Sequence, residues 1–209
     1  MVLKKQYKTP KAISETEFTV NKSRFIGRCF PVSDEKEAFE KLEYVRRLNA
    51  DATHNCWAYN LCGGIRRFSD DGEPGGTAGM PIMDTLIRSE TEDALIVVTR
   101  YFGGILLGSG GLVRAYSKSA ADALKASGIS IMINCKLIEF TVEYSRYGAL
   151  ENYIRENSVE QSAEFLENIC FRCFIEYDKA AEFTASIIER TDGRSVPRCI
   201  GEKFLRKDI

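Results

Sequence analysis

Ala94-Leu95-Ile96-Val97-Val98-Thr99-Arg100-Tyr101-Phe102-Gly103-Gly104-Ile105-Leu106-Leu107-Gly108-Ser109-Gly110-Gly111 is the stretch on which the reading of this chain turns. Residues 94–101 form a short apolar run rich in Val and Ile, which suits a central strand buried on both faces. Glycines then crowd the chain up to a helix that runs from about Ser109 or Gly110 to Ala126, where Gly128 stops it. Glycine lets a backbone approach a ligand closely, and a helix N-terminus offers free N–H groups and partial positive charge. The stretch reads as a strand feeding a helix through a loop that suits an anion, or equally as a tightly packed strand–helix connection. No Gly-Lys-Ser/Thr follows, so it is not a Walker loop, and the glycine spacing is not a dinucleotide fingerprint.

Upstream, Phe18–Val20 and Arg24–Val32 read as strand, and Ser33 and Asp34 open a helix to about Leu48 with Ala38, Phe39, Leu42, Val45 and Leu48 at helical spacing. Residues 55–61 read as another strand. Downstream of about residue 132 the pattern changes. Ile138, Phe140, Val142 and Tyr144 alternate with polar residues as on a strand. Ser145 is expected to cap a helix carrying Tyr147, Leu150 and Ile154. Residues 159–166 and 169–177 form two more strands about the turn at Glu167-Asn168. Asp178 is expected to cap a helix carrying Ala180, Phe183, Ile187 and Ile188, and a last strand is expected over Ser195–Phe204. That βαββαβ order predicts a ferredoxin-like unit. The expected division is 1–131 and 132–209, and the fold class is α/β (α+β).

Bulk composition narrows the function. Of 209 residues, 44% are hydrophobic and 28% charged, the balance of a globular protein. Formal net charge is −1, which excludes a grossly basic, non-specific nucleic-acid binder but leaves room for a local basic face. Residues 1–131 hold 18 Lys+Arg against 16 Asp+Glu, and residues 132–209 hold 11 against 14. No apolar run approaches the roughly 20 residues of a membrane helix, and the polar, basic first residues point away from a secretory signal. Seven cysteines, an odd number in a chain able to build a core without staples, read as reduced thiols of a cytoplasmic protein.

Several residues invite chemistry. Ser69-Asp70-Asp71-Gly72-Glu73-Pro74-Gly75-Gly76-Thr77-Ala78-Gly79 sets three carboxylates within four residues, where a hard cation or a general base could sit. Asp-Gly and Pro-Gly also make ordinary solvated turns, and the spacing is not that of an EF-hand. Arg114, Lys118 and Lys125 share one face of the helix after the glycine loop, opposite Leu112, Ala115, Ser119 and Ala123. Such a stripe can neutralise phosphates or simply be solvated. Arg100 and Arg114 flank the loop; Tyr101 and Phe102 could stack a base, with apolar packing the alternative for Phe102. His54 is the single histidine and shares a strand face with Cys56, so a dyad is conceivable beside a structural role. Cys170 and Cys173, three apart on a strand, point to opposite faces and cannot share a metal.

The candidate ligand- or anion-binding set is therefore His54, Asp70, Asp71, Glu73, Thr77, Arg100, Tyr101, Gly103, Gly104, Gly108, Ser109, Gly110, Gly111, Arg114 and Lys118. No catalytic residue, metal ligand or cofactor is assigned. Three readings compete: a binding module acting on RNA or a ribosome-associated partner, an enzyme acting on a phosphorylated or nucleotide ligand where the carboxylate turn meets the glycine loop, and a protein-interaction regulator without nucleic acid.

The chain resembles the YigZ/IMPACT family. The resemblance rests on Ala52-Thr53-His54-Asn55-Cys56-Trp57-Ala58-Tyr59, on Ser69–Gly79 continuing through Met80-Pro81-Ile82, and on Val98–Ile105 continuing from Leu107 to Tyr116, with Lys22-Ser23-Arg24-Phe25-Ile26 as the opening strand. Met80 stands where the family commonly has a basic residue, and Trp57 where Tyr is common. The resemblance implies an N-terminal α/β domain of the ribosomal-protein/GHMP-kinase superfold and a ferredoxin-like C-terminal domain similar to domains of elongation factor G. It further implies translational control: eukaryotic members compete for an activator of a stress-responsive initiation-factor kinase, and two-domain bacterial members look RNA- or ribosome-associated. RNA, a ribosome-associated factor or a protein partner in translational control is thus the expected partner, and the membrane is not.

Overall fold

The computed structural model describes residues 4–207. The chain divides into two compact units, residues 7–130 and residues from 131 onward, the second also taking in Gln6 and the residues just before it. The elements of the first unit are β1 (Gln6–Pro10), β2 (Ser14–Val20), β3 (Ser23–Pro31), α1 (Glu35–Leu48), β4 (His54–Asn60), β5 (Arg66–Ser69), α2 (Gly79–Arg88), β6 (Ala94–Tyr101) and α3 (Gly108–Ser127). Its sheet has the order β2-β3-β6-β4-β5 with antiparallel neighbours.

β6 is the central strand, as the apolar run predicts. Residues 94–100 are all buried because both faces are covered. Ala94, Ile96 and Val98 pack toward α2 and α3 with Phe25, Cys56 and Tyr116. Leu95 and Val97 pack toward Ala38, Leu42 and Val45 of α1. α1 starts where expected: the Asp34 carboxylate accepts the Glu37 N–H at 2.8 Å. Phe39 and Leu48, expected in its core stripe, are instead exposed. β2 and β3 join through Asn21 and Lys22, both at positive φ, the backbone of a tight hairpin turn. A Cβ on Gly27 would stand 2.6 Å from the Ser119 carbonyl oxygen, so α3 lies directly against β3.

Three elements of this unit went unanticipated: β1, β5 and α2. β5 is short and its residues Arg66, Arg67 and Phe68 are exposed, so it carries no hydrophobic alternation. α2 begins with Pro81 in its first turn, a usable signal, but its cap is remote: Asp70 accepts the N–H groups of Ala78 and Gly79.

The second unit contains β7 (Ile129–Val142), α4 (Tyr144–Asn157), β8 (Glu160–Phe165), β9 (Ile169–Glu176), α5 (Ala180–Arg190) and β10 (Arg198–Lys207). This is the expected βαββαβ order. The strands lie β10-β7-β9-β8, all antiparallel, which is the ferredoxin-like arrangement. One face of the sheet buries Ile138, Phe140, Phe171 and Cys173 with Leu150, Ile154, Phe183 and Ile187 of the helices. Details differ from expectation. Glu143, not Ser145, holds the N-cap position of α4. Asp178 sits in a 3₁₀ turn, Tyr177–Lys179, ahead of α5 and pairs with Lys5 at 2.8 Å instead of capping. β10 begins at Arg198 rather than Ser195, because residues 191–197 form an irregular connection. Cys173 is buried on β9 while Cys170 is only partly so, and both are free thiols. Among the described residues no helix is long and apolar enough to cross a membrane.

Candidate functional site

The sheet register brings the candidate residues to one end of the first unit. Arg100 lies opposite Phe25 on β3 and His54 on β4. It therefore points to the same face as Val98 and Cys56, beneath α3. Its guanidinium is buried, donating from Nη1 to Glu73 Oε1 at 2.6 Å and from Nη2 to Ser23 Oγ at 3.3 Å. It also lies over the rings of Phe25 and Phe102, at 5.5 and 5.4 Å. Its Nε has no partner. Glu73 Oε1 additionally accepts the Tyr116 hydroxyl at 2.7 Å. Arg100 is thus the counter-charge of a buried carboxylate, not the free cation the sequence suggested. Tyr101, one residue on, faces the opposite way. Its hydroxyl reaches Asn49 and Asp51, at 3.3 and 3.1 Å, and its ring lies under Arg24.

The three carboxylates of the 69–79 turn have separate partners. Asp70 accepts backbone N–H groups from Gly76, Ala78 and Gly79, at 2.8 to 3.0 Å, folding the turn and starting α2. Asp71 accepts the Asn55 N–H at 2.6 Å, tying the turn to β4. Thr77 donates its hydroxyl to the Pro74 carbonyl at 2.6 Å. Only Glu73 turns inward. Among the described residues no three carboxylate, thiol or imidazole groups stand where they could share a metal ion.

His54 Nδ1 lies 2.7 Å from the Asp71 carbonyl oxygen. A carbonyl only accepts, so Nδ1 carries the proton. His54 Nε2 faces Glu73 Oε2 at 3.9 Å. Cys56 shares the strand face but not the chemistry: its thiol donates to the Asp70 carbonyl at 2.9 Å and contacts the Tyr116 hydroxyl at 3.4 Å. Burial pushes the Cys56 thiol far above its ordinary range, with the carboxylates of Glu73, Asp71 and Asp70 adding to the effect against the Tyr116 hydrogen bond. Burial likewise raises the Tyr116 phenol. A His54–Cys56 nucleophile therefore does not form, since the thiolate is the disfavoured state.

The carboxylate turn and the glycine loop do meet, through one chain of contacts. Ser23 Oγ accepts from Arg100 and also from the Gly103 N–H at 3.2 Å. A Cβ on Gly103 would stand 2.0 Å from the Lys22 carbonyl carbon, so this glycine is required by the hairpin beneath it. Beyond it the loop opens. Gly104 and Gly108 have positive φ and no neighbour. α3 then begins with Leu107 at the N-cap, no side-chain cap and no acidic residue in the first turn. Ser109 and Gly110 are exposed there. Arg114 is exposed, and its Nη1 lies 3.6 Å from where a Cβ of Gly110 would be, so the guanidinium folds back over the helix start. Gly111 is more enclosed, packing on Leu107. Lys118 is less free than the basic stripe implied: it pairs with Asp122 at 2.5 Å and lies over Phe18.

Reasoning from sequence passed over the apolar rim of this loop. Phe102, Ile105, Leu106 and Val113 are all exposed, Leu106 at 84%. The signal was Ile105-Leu106-Leu107, an apolar run inside a glycine loop, where exposure is unusual.

An antiparallel sheet covered by helices on both faces, followed by a ferredoxin-like unit, with a glycine loop running into an uncapped helix, defines a two-domain α+β protein. The family model described as the Impact N-terminal domain matches residues 21–124, and one described as a domain of unknown function (DUF1949) matches residues 140–194. The IMPACT family member YvyE of Bacillus subtilis is 38% identical over 192 residues, covering 90% of this chain and 88% of that one. The IMPACT family member YigZ of Escherichia coli is 33% identical, covering 83% and 88%. Protein IMPACT of Rattus norvegicus is 33% identical over 96 residues, covering 43% of this chain and 30% of its own. A crystal structure of a hypothetical protein superposes with a TM-score of 0.66 at 29% identity, covering 95% and 99%. The chain belongs to the IMPACT family.

Proposed function

We propose that this protein is a cytoplasmic, translation-associated binding module that takes the phosphate backbone of RNA at the start of α3. The observation that carries the reading is that helix start itself. It has no side-chain cap and no first-turn acid, the glycines before it are open, and Arg114 folds over it. Free N–H groups, the helix dipole and one unpaired guanidinium together suit a phosphate. The alternative of a metal-assisted enzyme draws less support. Asp70 and Asp71 already accept backbone N–H groups, and Glu73 is neutralised by Arg100.

Fluorescence anisotropy with a labelled single-stranded oligoribonucleotide, and co-sedimentation with ribosomes, test the reading. Binding weakens steeply with salt, and Arg114→Ala lowers affinity and reduces the salt slope by about one charge. An affinity unchanged by Arg114→Ala, or indifferent to salt, refutes it. A second reading, a protein partner in translational control, draws on the exposed Leu106 and Ile105. It predicts a nuclease-insensitive complex that Leu106→Ser abolishes and Arg114→Ala does not.

A further inference from the structure

The sheet of the second unit ends on an open strand. β8 pairs with β9 along one side, in regular register from Glu160 opposite Phe174 to Phe165 opposite Ile169, and stands last in the strand order. Among the described residues no strand pairs with its other side. Every residue of β8 is exposed. The N–H and C=O groups on its outer side are a row of donors and acceptors open to a further strand.

Proteins ordinarily guard such an edge. β10, at the opposite end of the strand order, carries Arg198, Lys203, Arg206 and Lys207 and a bulge between Cys199 and Gly201. Those devices discourage edge-to-edge pairing. β8 reads Glu160-Gln161-Ser162-Ala163-Glu164-Phe165, with no lysine, proline or bulge. It ends instead on apolar surface, with Phe165 56% and Leu166 61% exposed. Phe165 lies against the rings of Tyr147 and Tyr144, at 5.7 and 6.4 Å. Tyr144, itself exposed, donates its hydroxyl to the Leu166 carbonyl at 2.8 Å. An unguarded edge and an aromatic patch thus adjoin.

A second copy of the same strand fits this edge. With the helix-covered faces on one side, two copies meet antiparallel about a two-fold axis, and one residue faces itself. Centred on Ala163, the pairing sets Gln161 against Phe165, Ser162 against Glu164 and Glu160 against Leu166. No like charges are opposed, and the residue at the axis is small. Centred on Ser162, the pairing sets Glu160 against Glu164 on both sides of the axis; centred on Glu164, it sets that residue against itself. Like charges directly opposite are destabilising. Centring on Gln161 or Phe165 leaves half or more of β8 without a strand opposite. Charge and length together select the Ala163 register, which also brings each Phe165 beside Gln161 of the second copy.

We propose that two copies of this chain associate through β8, joining their ferredoxin-like sheets edge to edge. The surface lies in the second unit and shares no residue with the start of α3, so it stands apart from the RNA reading. One short edge and one aromatic patch make a small interface, so the dimer forms at roughly 10–100 µM chain.

Sedimentation velocity of the full chain, from about 1 µM to about 1 mM, spans the midpoint of so small an interface. Amide hydrogen exchange at the two ends of that range locates the contact. A dimer is expected at high concentration, with added protection within residues 160–166 and none on β10. Ala163→Lys sets two ammonium groups at the axis and is expected to weaken association more than tenfold. Ala163→Val adds a β-branched pair there and is expected to tighten it roughly threefold. Ala163 is exposed, and melting of the dilute monomer checks that neither change disturbs the fold. A chain that stays monomeric throughout, a dimer indifferent to Ala163→Lys, or protection appearing elsewhere overturns the proposal. So does capture of the β8 edge by an extended segment of a different protein while the chain alone stays monomeric.

Discussion

Glu73 Oε1 lies 2.6 Å from Arg100 Nη1, with both side chains at least nine-tenths buried. The pair links the carboxylate turn to the strand end that feeds the glycine loop. Removing one member leaves the other as an unpaired buried charge, which costs about 3–5 kcal/mol. Glu73→Ala and Arg100→Ala should each lower the urea midpoint by that measure. The double variant should lose less than the sum, because neither charge is then left alone. Additive losses in a double-mutant cycle would show that the two do not act as a pair.

Two glycines of the loop should behave oppositely. Gly103→Ala places a Cβ against the Lys22 backbone and should destabilise by more than the ~1–3 kcal/mol typical of overpacking. Gly110→Ala meets only the Arg114 guanidinium tip and sits on an exposed helix face. It should raise the melting temperature by the equivalent of about 1 kcal/mol of helix propensity. Under the RNA reading it also weakens oligoribonucleotide binding. Calorimetric melts and anisotropy read the two effects separately.

The thiols should divide by burial. Burial pushes Cys29 up to about 12, a Ser127 hydrogen bond opposing it, and pushes Cys173 up to about 12. Native-state alkylation at pH 8 should therefore modify exposed Cys199 first and leave Cys29, Cys56 and Cys173 protected until the chain unfolds. Mass spectrometry of timed samples checks the order.

Glu35 should contribute to acid sensitivity. The Tyr59 hydroxyl, and then Arg67, hold its carboxyl below the usual range, against a smaller opposing effect of burial. A depressed folded-state value means the stabilisation is present above the ordinary carboxylate range and is lost as pH falls through the depressed value. Glu35→Gln should lower the urea midpoint at pH 7, and the gap from the parent chain should close as the pH is brought down below 4. A gap independent of pH would assign the effect to packing.

Much of the architecture was legible from local pattern. The run Ala94–Tyr101 is apolar throughout because helices cover both faces of the sheet, and the alternation from Ile138 to Val142 marks a strand with one covered face. Asp34 could be read as a cap because its bond to the Glu37 N–H is local. α2 was not, because its cap, Asp70, lies several residues away and becomes one only after the turn folds. β5 pairs with β4 through backbone bonds that its exposed side chains do not advertise.

The glycine loop shows the same division. Its glycines, and the helix that follows, were written in the sequence, since backbone freedom and helix start depend on neighbours along the chain. Which charges stayed free was not. Arg100 and Arg114 look alike as flanking cations, but strand register turns Arg100 inward onto Glu73, while helix phase leaves Arg114 over the exposed helix start. The sequence by itself determined most strands, most helices and the place of the loop, because those follow from periodicity and local capping. Only the tertiary structure decided which carboxylate is neutralised, which cation remains available and which strand edge is left open, because each depends on residues far apart in the chain.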